Sequence, residues 1–313
     1  MSANQEAARR PRIGLVLGAG GPVGHAFHAG ALAAVERAFG WDPRHADLVV
    51  GTSAGAQVAA LLRAGLSGAD LAARAAGDPL SEAARAIAQH YVRPCPRTTD
   101  ASPQGSPWPA SPHFLLQALR RPRNWRPGRI IAALLPAGRA RLDAQAAGLR
   151  EIFGEGWPEQ ETLITAVALD SGERVAFGSP GAPAIDIGTA VSCSSAVPGM
   201  YRPVEWQGLR YVDGGVASAT HLDLLHDRSL DLVIASSPLS AFGPFSALFA
   251  MERRRLERRV PVLSIEPTGE ALAAMGRNPL DVTRAPEVVR AAFEATRRLL
   301  DSAEARARLR DMS

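Results

Sequence analysis

A serine between two glycines is the first pattern in this chain that suggests chemistry. Residues 50–55 are VGTSAG, which places Ser53 between Gly51 and Gly55 in a G-x-S-x-G pattern. In that pattern the serine occupies a strained turn between a strand and a helix, and the flanking glycines leave room for the bend. Because such a pentapeptide also arises by chance in glycine-rich chains, its surroundings must decide between a nucleophile and a simple tight turn.

The residues around Ser53 predict the strand and the helix that this turn requires. Residues 47–50 (DLVV) are typical of a short buried strand, and the alanine-rich segment 54–64 predicts a helix. A helix that begins at Ala54 provides backbone N–H donors and a favourable dipole beside the serine. Such groups stabilise the oxyanion that forms when a serine attacks a carbonyl carbon.

A second glycine motif precedes the serine and allows more than one interpretation. The sequence GAGGPVG, residues 18–24, follows a strand predicted at residues 13–17 and precedes a helix predicted at 25–40. A dinucleotide-binding loop would need its third glycine at position 23, where this chain has Val23. As an oxyanion hole, the backbone N–H groups of the glycine turn would face a developing negative charge. We favour the oxyanion hole, and a glycine turn with a purely structural role remains open.

A serine nucleophile needs a base, and the sequence offers an aspartate and two histidines. Asp213 ends a predicted strand and precedes two glycines, which let its carboxylate stand close to another backbone segment. Direct pairing with Ser53 would make a dyad with Asp213 as the base. His221 or His226 would instead complete the Ser-Asp-His order of the α/β-hydrolases. In that fold several strands usually precede the serine turn, whereas here it follows the second.

Composition excludes several functional classes. The chain has 313 residues, of which 46% are hydrophobic and 21% charged, as expected of one α/β domain. A net charge of +4 favours weak attraction to anionic lipid surfaces and does not resemble a nucleic-acid footprint. Cys95 and Cys193 have no metal-ligand spacing, and no apolar run is long enough to span a membrane. We expect a cytoplasmic protein that touches membranes only peripherally.

The rest of the chain predicts further strands and helices around two less regular regions. Strands are predicted at residues 163–169, 209–212, 231–237 and 260–267, a hairpin partner at 174–178, and helices at 189–199, 251–259 and 286–302. Residues 93–112 are rich in proline and serine and predict a surface loop or a disordered insertion. Residues 113–157 recover helical character and form either a cap over the site or helices packed on the sheet.

Three motifs taken in order resemble the patatin-like phospholipases, the serine-aspartate lipid acyl hydrolases. They are GAGGPVG, GTSAG and, about 160 residues after GTSAG, YVDGG, and the likeness extends from about residue 13 to residue 267. The stretch SSAVPGMYRPV, residues 194–204, looks like the one that the family carries before its Asp-Gly-Gly. The resemblance implies a three-layer α/β/α fold with a mostly parallel central sheet. It also implies a flexible N-terminus at 1–12, a hydrolase domain at 13–267 with an insertion at about 91–157, and a C-terminal helical segment at 268–313.

The resemblance also implies the roles of the site residues. Ser53 would be the nucleophile, Asp213 its base, and the backbone around Gly20, Gly21 and Ala54 the oxyanion hole. The motif glycines are Gly18, Gly24, Gly51, Gly55, Gly214 and Gly215. The substrate would be a lipid or another acyl ester, with no metal and no cofactor required.

Several further residues bear on the substrate or on the surroundings of the site. The family commonly has an arginine where this chain has Val23, which bears on head-group preference. His25 and His28 lack a third ligand, so we interpret them as helix residues lining or flanking the site rather than as a metal site. An apolar channel is expected beside residues 114–157, where Arg120, Arg121 and Arg123 would face either anionic lipid or solvent. The oligomeric state stays open, and a lipid-binding protein without catalytic activity is the alternative from another functional class.

Overall fold

A central β-sheet carries the motifs described above. The computed structural model describes residues 9–91, 110–111, 133–303 and 305–306. Within that part of the chain the strands are β1 (Ile13–Leu17), β2 (Leu48–Gly51), β3 (Glu161–Ala168), β4 (Arg174–Phe177), β5 (Val204–Trp206), β6 (Leu209–Asp213), β7 (Leu232–Ser236) and β8 (Val262–Ile265). The helices are α1 (Gly21–Phe39), α2 (Ala54–Arg63), α3 (Gly68–Ala76), α4 (Glu82–Ala88), α5 (Asp143–Phe153), α6 (Ile187–Ser195), α7 (Gly243–Leu256), α8 (Gly269–Met275) and α9 (Ala285–Leu300).

The sheet is parallel on one side and antiparallel on the other. Its strand order is β5-β6-β3-β2-β1-β7-β8, and β4 pairs with β3 off this path. Neighbouring strands from β3 to β8 in this order run parallel. The pairs β3-β4, β3-β6 and β5-β6 are antiparallel. Parallel strands covered on both faces need nearly continuous apolar runs, which accounts for the sequences IGLVL in β1 and LVIAS in β7.

Helices cover both faces of the sheet and make three layers. Alternate residues of a strand point to opposite faces, and in β1 Leu15 belongs to one hydrophobic core while Val16 belongs to the other. The larger core is formed with α1, α2, α3, α6 and α9, and α1 packs against both α3 and α9. The smaller core is closed by Phe249 and Leu256 of α7. No helix in the described residues is long and apolar enough to cross a membrane.

The expected fold class is confirmed: strands alternate with flanking helices, and the central sheet is mostly parallel. The predicted hairpin after β3 is also confirmed, since β4 pairs antiparallel with it. Two helices begin well before their predicted starts, α1 at Gly21 rather than at residue 25 and α7 at Gly243 rather than at residue 251. Gly21 has φ 60° and Pro22 suits the first turn of a helix, so the helix starts inside the glycine motif. The short edge strand β5 was not predicted.

The insertion expected at residues 91–157 falls largely outside the described residues. These exclude 92–109 and 112–132, which contain most of the proline-rich segment and the three arginines expected to face lipid. The last part of the insertion is α5, and it packs against α6. A helix packed on the body of the protein matches one of the two interpretations of this region, while the domain boundaries stay predictions.

Candidate active site

Neighbouring strands bring the two glycine motifs to one edge of the sheet. Leu17, the last residue of β1, lies beside Gly51 of β2 on one side and Ser236 of β7 on the other. The chain continues from Leu17 into the glycine loop and from Gly51 into the serine turn. The carboxyl ends of adjacent parallel strands form a crevice in which sites of open α/β sheets lie. The two motifs therefore meet at such an edge.

The serine turn has a backbone conformation that only close packing can maintain. Ser53 has φ 53° and ψ −116°, a left-handed conformation that side chains rarely adopt. A Cβ atom on Gly55 would lie 2.0 Å from the carbonyl oxygen of Leu17, and one on Gly51 would lie 2.7 Å from Cα of Ala56. Both positions must therefore be glycine. The Ser53 N–H donates to Oγ of Ser194 over 2.8 Å, which holds the turn against α6.

Asp213 reaches the serine turn because β6 is antiparallel to β3. Gly51 pairs with Ile164 of β3, and two residues further along β3 Ala166 pairs with Asp213. The Asp213 side chain is buried, and its Oδ1 accepts a hydrogen bond of 2.7 Å from the N–H of Gly215. Burial raises the pKa of Asp213 to about 6, while hydrogen bonding by the Ser53 hydroxyl and the Gly215 N–H acts in the opposite direction. The structure thus brings Ser53 and Asp213 together.

Thr165 of β3 touches both halves of the site. Its Oγ1 lies 2.8 Å from Oγ1 of Thr52, the residue before the serine. A Cβ atom on Gly214 would lie 2.6 Å from both the carbonyl oxygen and Oγ1 of Thr165, so only glycine fits after Asp213. Thr165 therefore spaces the serine turn and the aspartate strand relative to each other.

Three backbone N–H groups of the glycine loop and the serine turn have no acceptor among the described residues. In the described part of the chain, no acceptor is paired with the N–H groups of Gly20, Gly21 or Ala54. Gly21 and Ala54 begin helices α1 and α2, whose first N–H groups have no partner within the helix. A Cβ atom on Gly20 would lie 2.7 Å from Cα of Gly24, so the loop is compact. Donors at helix N-termini attract negative charge.

His28 lies beneath the glycine loop. Its Nε2 lies 2.8 Å from the carbonyl oxygen of Gly18, and its Nδ1 lies 2.8 Å from Oγ of Ser236. Burial lowers the pKa of His28 to about 4, so the ring is neutral at neutral pH. His25 is buried in the same helix. Within the described residues, no three His, Cys, Asp or Glu side chains are grouped so that they could hold a metal ion.

The two histidines considered as alternative bases are placed differently from a triad histidine. The Nε2 atom of His221 lies 3.1 Å from the carbonyl oxygen of Gly214, and Arg174 approaches its Nδ1 at 3.4 Å. Because a carbonyl oxygen only accepts, Nε2 carries the proton and Nδ1 faces the arginine. Neither nitrogen is then directed at the Ser53 hydroxyl. His226 follows the short 3₁₀ helix Leu222–Leu225. Within the described residues its hydrogen bonds involve Asp223 and Arg259, and none involves the serine turn.

The supporting contacts of three residues were not predicted from the sequence. Ser194, Thr165 and His28 each hold part of the site through a contact with a segment distant in the chain. Ser194 lies in the SSAVPG stretch, and the likeness of that stretch to a segment of the family was its only sequence signal. Thr165 lies within an apolar strand, where its position is not distinctive. His28 was expected to line or flank the site, but its two contacts were not predicted.

The fold thus brings together, at one edge of an α/β sheet, a strained serine turn and a buried aspartate, beside a glycine loop whose backbone donors have no acceptor in the described residues. The family model for patatin-like phospholipases matches residues 15–226, more than half of the chain. The protein belongs to the patatin-like phospholipase family. No curated protein matches the chain.

Several solved structures are similar to the chain at low sequence identity. VipD from Legionella pneumophila is 14% identical with a TM-score of 0.43, and the match covers 94% of this chain and 67% of VipD. The type III effector protein ExoU is 19% identical with a TM-score of 0.36, covering 93% of this chain and 54% of ExoU. Human GIVD cytosolic phospholipase A2 is 14% identical with a TM-score of 0.40, covering 100% of this chain and 61% of that protein. The chain thus matches 54% to 67% of the lengths of these proteins.

Proposed function

We propose that the protein is a serine hydrolase that cleaves fatty-acyl esters of lipids, with Ser53 as the nucleophile and Asp213 as its base. Membership of the patatin-like phospholipase family supports lipid acyl hydrolysis. The observation that carries the assignment of roles is the contact between the Ser53 hydroxyl and a buried aspartate whose pKa is raised to about 6. A carboxylate with that pKa is ionised at neutral pH, yet it is a stronger base than an exposed aspartate.

The strained turn supports Ser53 as the attacking group. Its conformation, which costs about 1–3 kcal/mol, turns the side chain away from the sheet and persists only where surrounding packing enforces it. The close approaches of Gly51 and Gly55 supply that packing. Strain of this kind concentrates at functional sites. The serine is also next to the start of α2, whose dipole favours negative charge.

In the proposed reaction Asp213 takes the proton from Ser53 while Oγ attacks the ester carbonyl carbon. The carbonyl oxygen becomes an oxyanion, which the N–H groups of Gly20, Gly21 and Ala54 stabilise. When the intermediate collapses, the alcohol leaves with the proton that Asp213 held, and an acyl-serine remains. Water then gives a proton to Asp213 and attacks the acyl carbon, and the serine leaves with that proton as the fatty acid is released.

The substrate class also implies where the protein works. A lipid ester lies in a membrane or micelle, and we propose that the protein acts from the cytoplasm by peripheral contact with that surface. The net charge of +4 favours anionic head groups.

Labelling with a fluorophosphonate probe tests the proposal. We expect wild type to gain one adduct by intact mass, Ser53→Ala to gain none, and Asp213→Asn to react at least about 100-fold more slowly. The wild-type labelling rate should fall about tenfold for each pH unit below 6, because protonated Asp213 cannot accept the serine proton.

His221→Asn is the matched control, since asparagine tolerates the left-handed backbone at that position, where φ is 55°. A dyad keeps most of its labelling rate in this variant, whereas a triad that uses His221 loses nearly all of it. Folded wild type that takes no label and turns over no ester would leave a lipid-binding protein without catalysis as the better account. Vesicle binding unchanged by Ser53→Ala would support that account.

A further inference from the structure

The ring of His28 joins the glycine loop to the end of β7. Helix α1 begins at Gly21, and two turns later it places His28 back beneath the loop. The ring is fully buried, with one nitrogen 2.8 Å from the Gly18 carbonyl oxygen and the other 2.8 Å from Oγ of Ser236. The mechanism above uses neither contact, although Gly18 lies only two residues before Gly20, the first of the proposed oxyanion donors.

These two contacts determine which nitrogen of His28 carries the proton. The Gly18 carbonyl oxygen can only accept, so Nε2 must donate to it. Nδ1 is then an acceptor, and the Ser236 hydroxyl donates to it. A neutral ring with the proton on Nε2 satisfies both partners without placing a charge in the core.

The first part of the loop is held from two further directions. The Gly18 N–H donates to the carbonyl oxygen of Ser236 over 3.0 Å, and the Ala19 N–H donates to that of Ala219 over 2.8 Å. The next two N–H groups, of Gly20 and Gly21, have no acceptor in the described residues. The first two residues of the loop, Gly18 and Ala19, are thus anchored by hydrogen bonds, while the next two N–H groups are available to a substrate.

We propose that His28 is a positioning residue for the proposed reaction. Its Nε2–H holds the Gly18 carbonyl, and so keeps the N–H groups of Gly20 and Gly21 directed at the oxyanion that forms beside Ser53. This role rests on the proposed function of the Ser53 site. Donors that are oriented before the reaction stabilise a transition state most effectively, and a displacement of about 1 Å can cost about 100-fold in rate.

Two amide variants separate the contacts of His28. In His28→Gln the side-chain amide reaches the place of Nε2 and can donate to Gly18, whereas in His28→Asn the shorter side chain reaches only towards Ser236. With a soluble p-nitrophenyl ester we expect kcat to fall about 100-fold in His28→Asn with KM within about twofold. We expect His28→Gln to recover kcat to within about tenfold of wild type. Thermal unfolding of both variants establishes that the measured protein is folded.

Two kinetic results would overturn the positioning role. Equal loss of kcat in the two variants would mean that donation to Gly18 is unimportant. Wild-type kcat in both folded variants, with only a lower Tm, would mean that the ring merely fills space.

A long-range ¹H–¹⁵N spectrum of the histidine rings tests the placement without catalysis. The proposal requires the Nε2–H tautomer of His28 at pH 7, assigned by its loss in His28→Gln, and an Nδ1–H or doubly protonated ring would overturn it. A wild type with this tautomer but no turnover and no labelling would overturn the proposed function, and with it the positioning role. The spectrum therefore distinguishes a misplaced ring from an absent activity.

Discussion

The serine side and the aspartate side of the site are held in place by different physical means. Ser53 lies in a short-range structure, a turn between adjacent elements whose cost is a strained backbone. Asp213 has ordinary extended backbone, with φ −48° and ψ 133°, and its cost is the burial of an ionisable carboxyl. The site therefore carries two separate unfavourable energies, the backbone strain at Ser53 and the burial of the Asp213 carboxyl. A different substitution should relieve each of them.

The largest effect is expected from breaking the packing of the serine turn with Gly55→Ala. The new Cβ would overlap backbone atoms of Leu17 at 2.0 Å, and a backbone carbonyl cannot rotate away as a side chain can. We expect a loss of about 4 kcal/mol or more in the free energy of unfolding, measured by urea denaturation, or failure to fold.

Gly40→Ala is the control for that substitution. Gly40 also has a positive φ, 61°, but a Cβ atom there would meet nothing within 4 Å. It should cost only about 1 kcal/mol. Similar losses in the two variants would contradict a specific steric role for Gly55.

On the aspartate side a substitution should stabilise the protein: we expect Asp213→Asn to raise the free energy of unfolding, whereas Gly55→Ala lowers it. The folded state keeps the Asp213 proton up to about pH 6, whereas the unfolded state releases it near 3.8. Wild type therefore loses stability as pH rises between these values. The difference between these two pKa values corresponds to about 3 kcal/mol in the free energy of unfolding. Wild type loses this stability as pH rises, and the asparagine variant does not. Chemical denaturation at pH 8 and pH 4 measures the difference.

Asp213→Asn should be more stable than wild type at pH 8, and the difference should vanish near pH 4. Asparagine keeps an oxygen that can accept from the Gly215 N–H, so that hydrogen bond is not a confounding change. Asp227→Asn, at a side chain 92% exposed, serves as the control and should change stability by about 0.5 kcal/mol or less. Destabilisation of Asp213→Asn at pH 8 would show that the buried carboxylate is well compensated.

The same contrast explains what was predictable from the sequence. The serine turn was predictable because its signals lie within about ten residues: an apolar run, two glycines and an alanine-rich helix. The approach of Asp213 depends on the antiparallel pairing of β6 with β3. The residues alone offered it only as one alternative beside His221 and His226, and the resemblance to a family favoured it. The contacts of Ser194, Thr165 and His28 were not predicted because they join segments far apart in the chain.

A smaller effect should isolate the backbone strain at Ser53. Both Ser53→Ala and Ser53→Gly remove the hydroxyl, but only glycine adopts φ 53° and ψ −116° without strain. We expect the glycine variant to be more stable than the alanine variant by about 1–2 kcal/mol in chemical denaturation.

Ala56→Gly provides the comparison three residues later in α2. There the backbone is helical, so glycine should destabilise by about 1 kcal/mol. A more stable alanine than glycine at position 53 would mean that the turn is not strained.

The smallest effect concerns the connection between the two sides, the hydroxyl pair of Thr52 and Thr165. Each hydroxyl is buried, so Thr52→Val or Thr165→Val alone leaves its partner without that hydrogen bond and should cost about 1–2 kcal/mol. The double variant removes both hydroxyls, and a double-mutant cycle should therefore give a coupling of about 1 kcal/mol. Additive losses would mean that the serine turn and β3 are positioned independently. Coupling in stability together with a slower reaction of Ser53 with the fluorophosphonate would mean that Thr165 transmits the position of the aspartate side to the nucleophile.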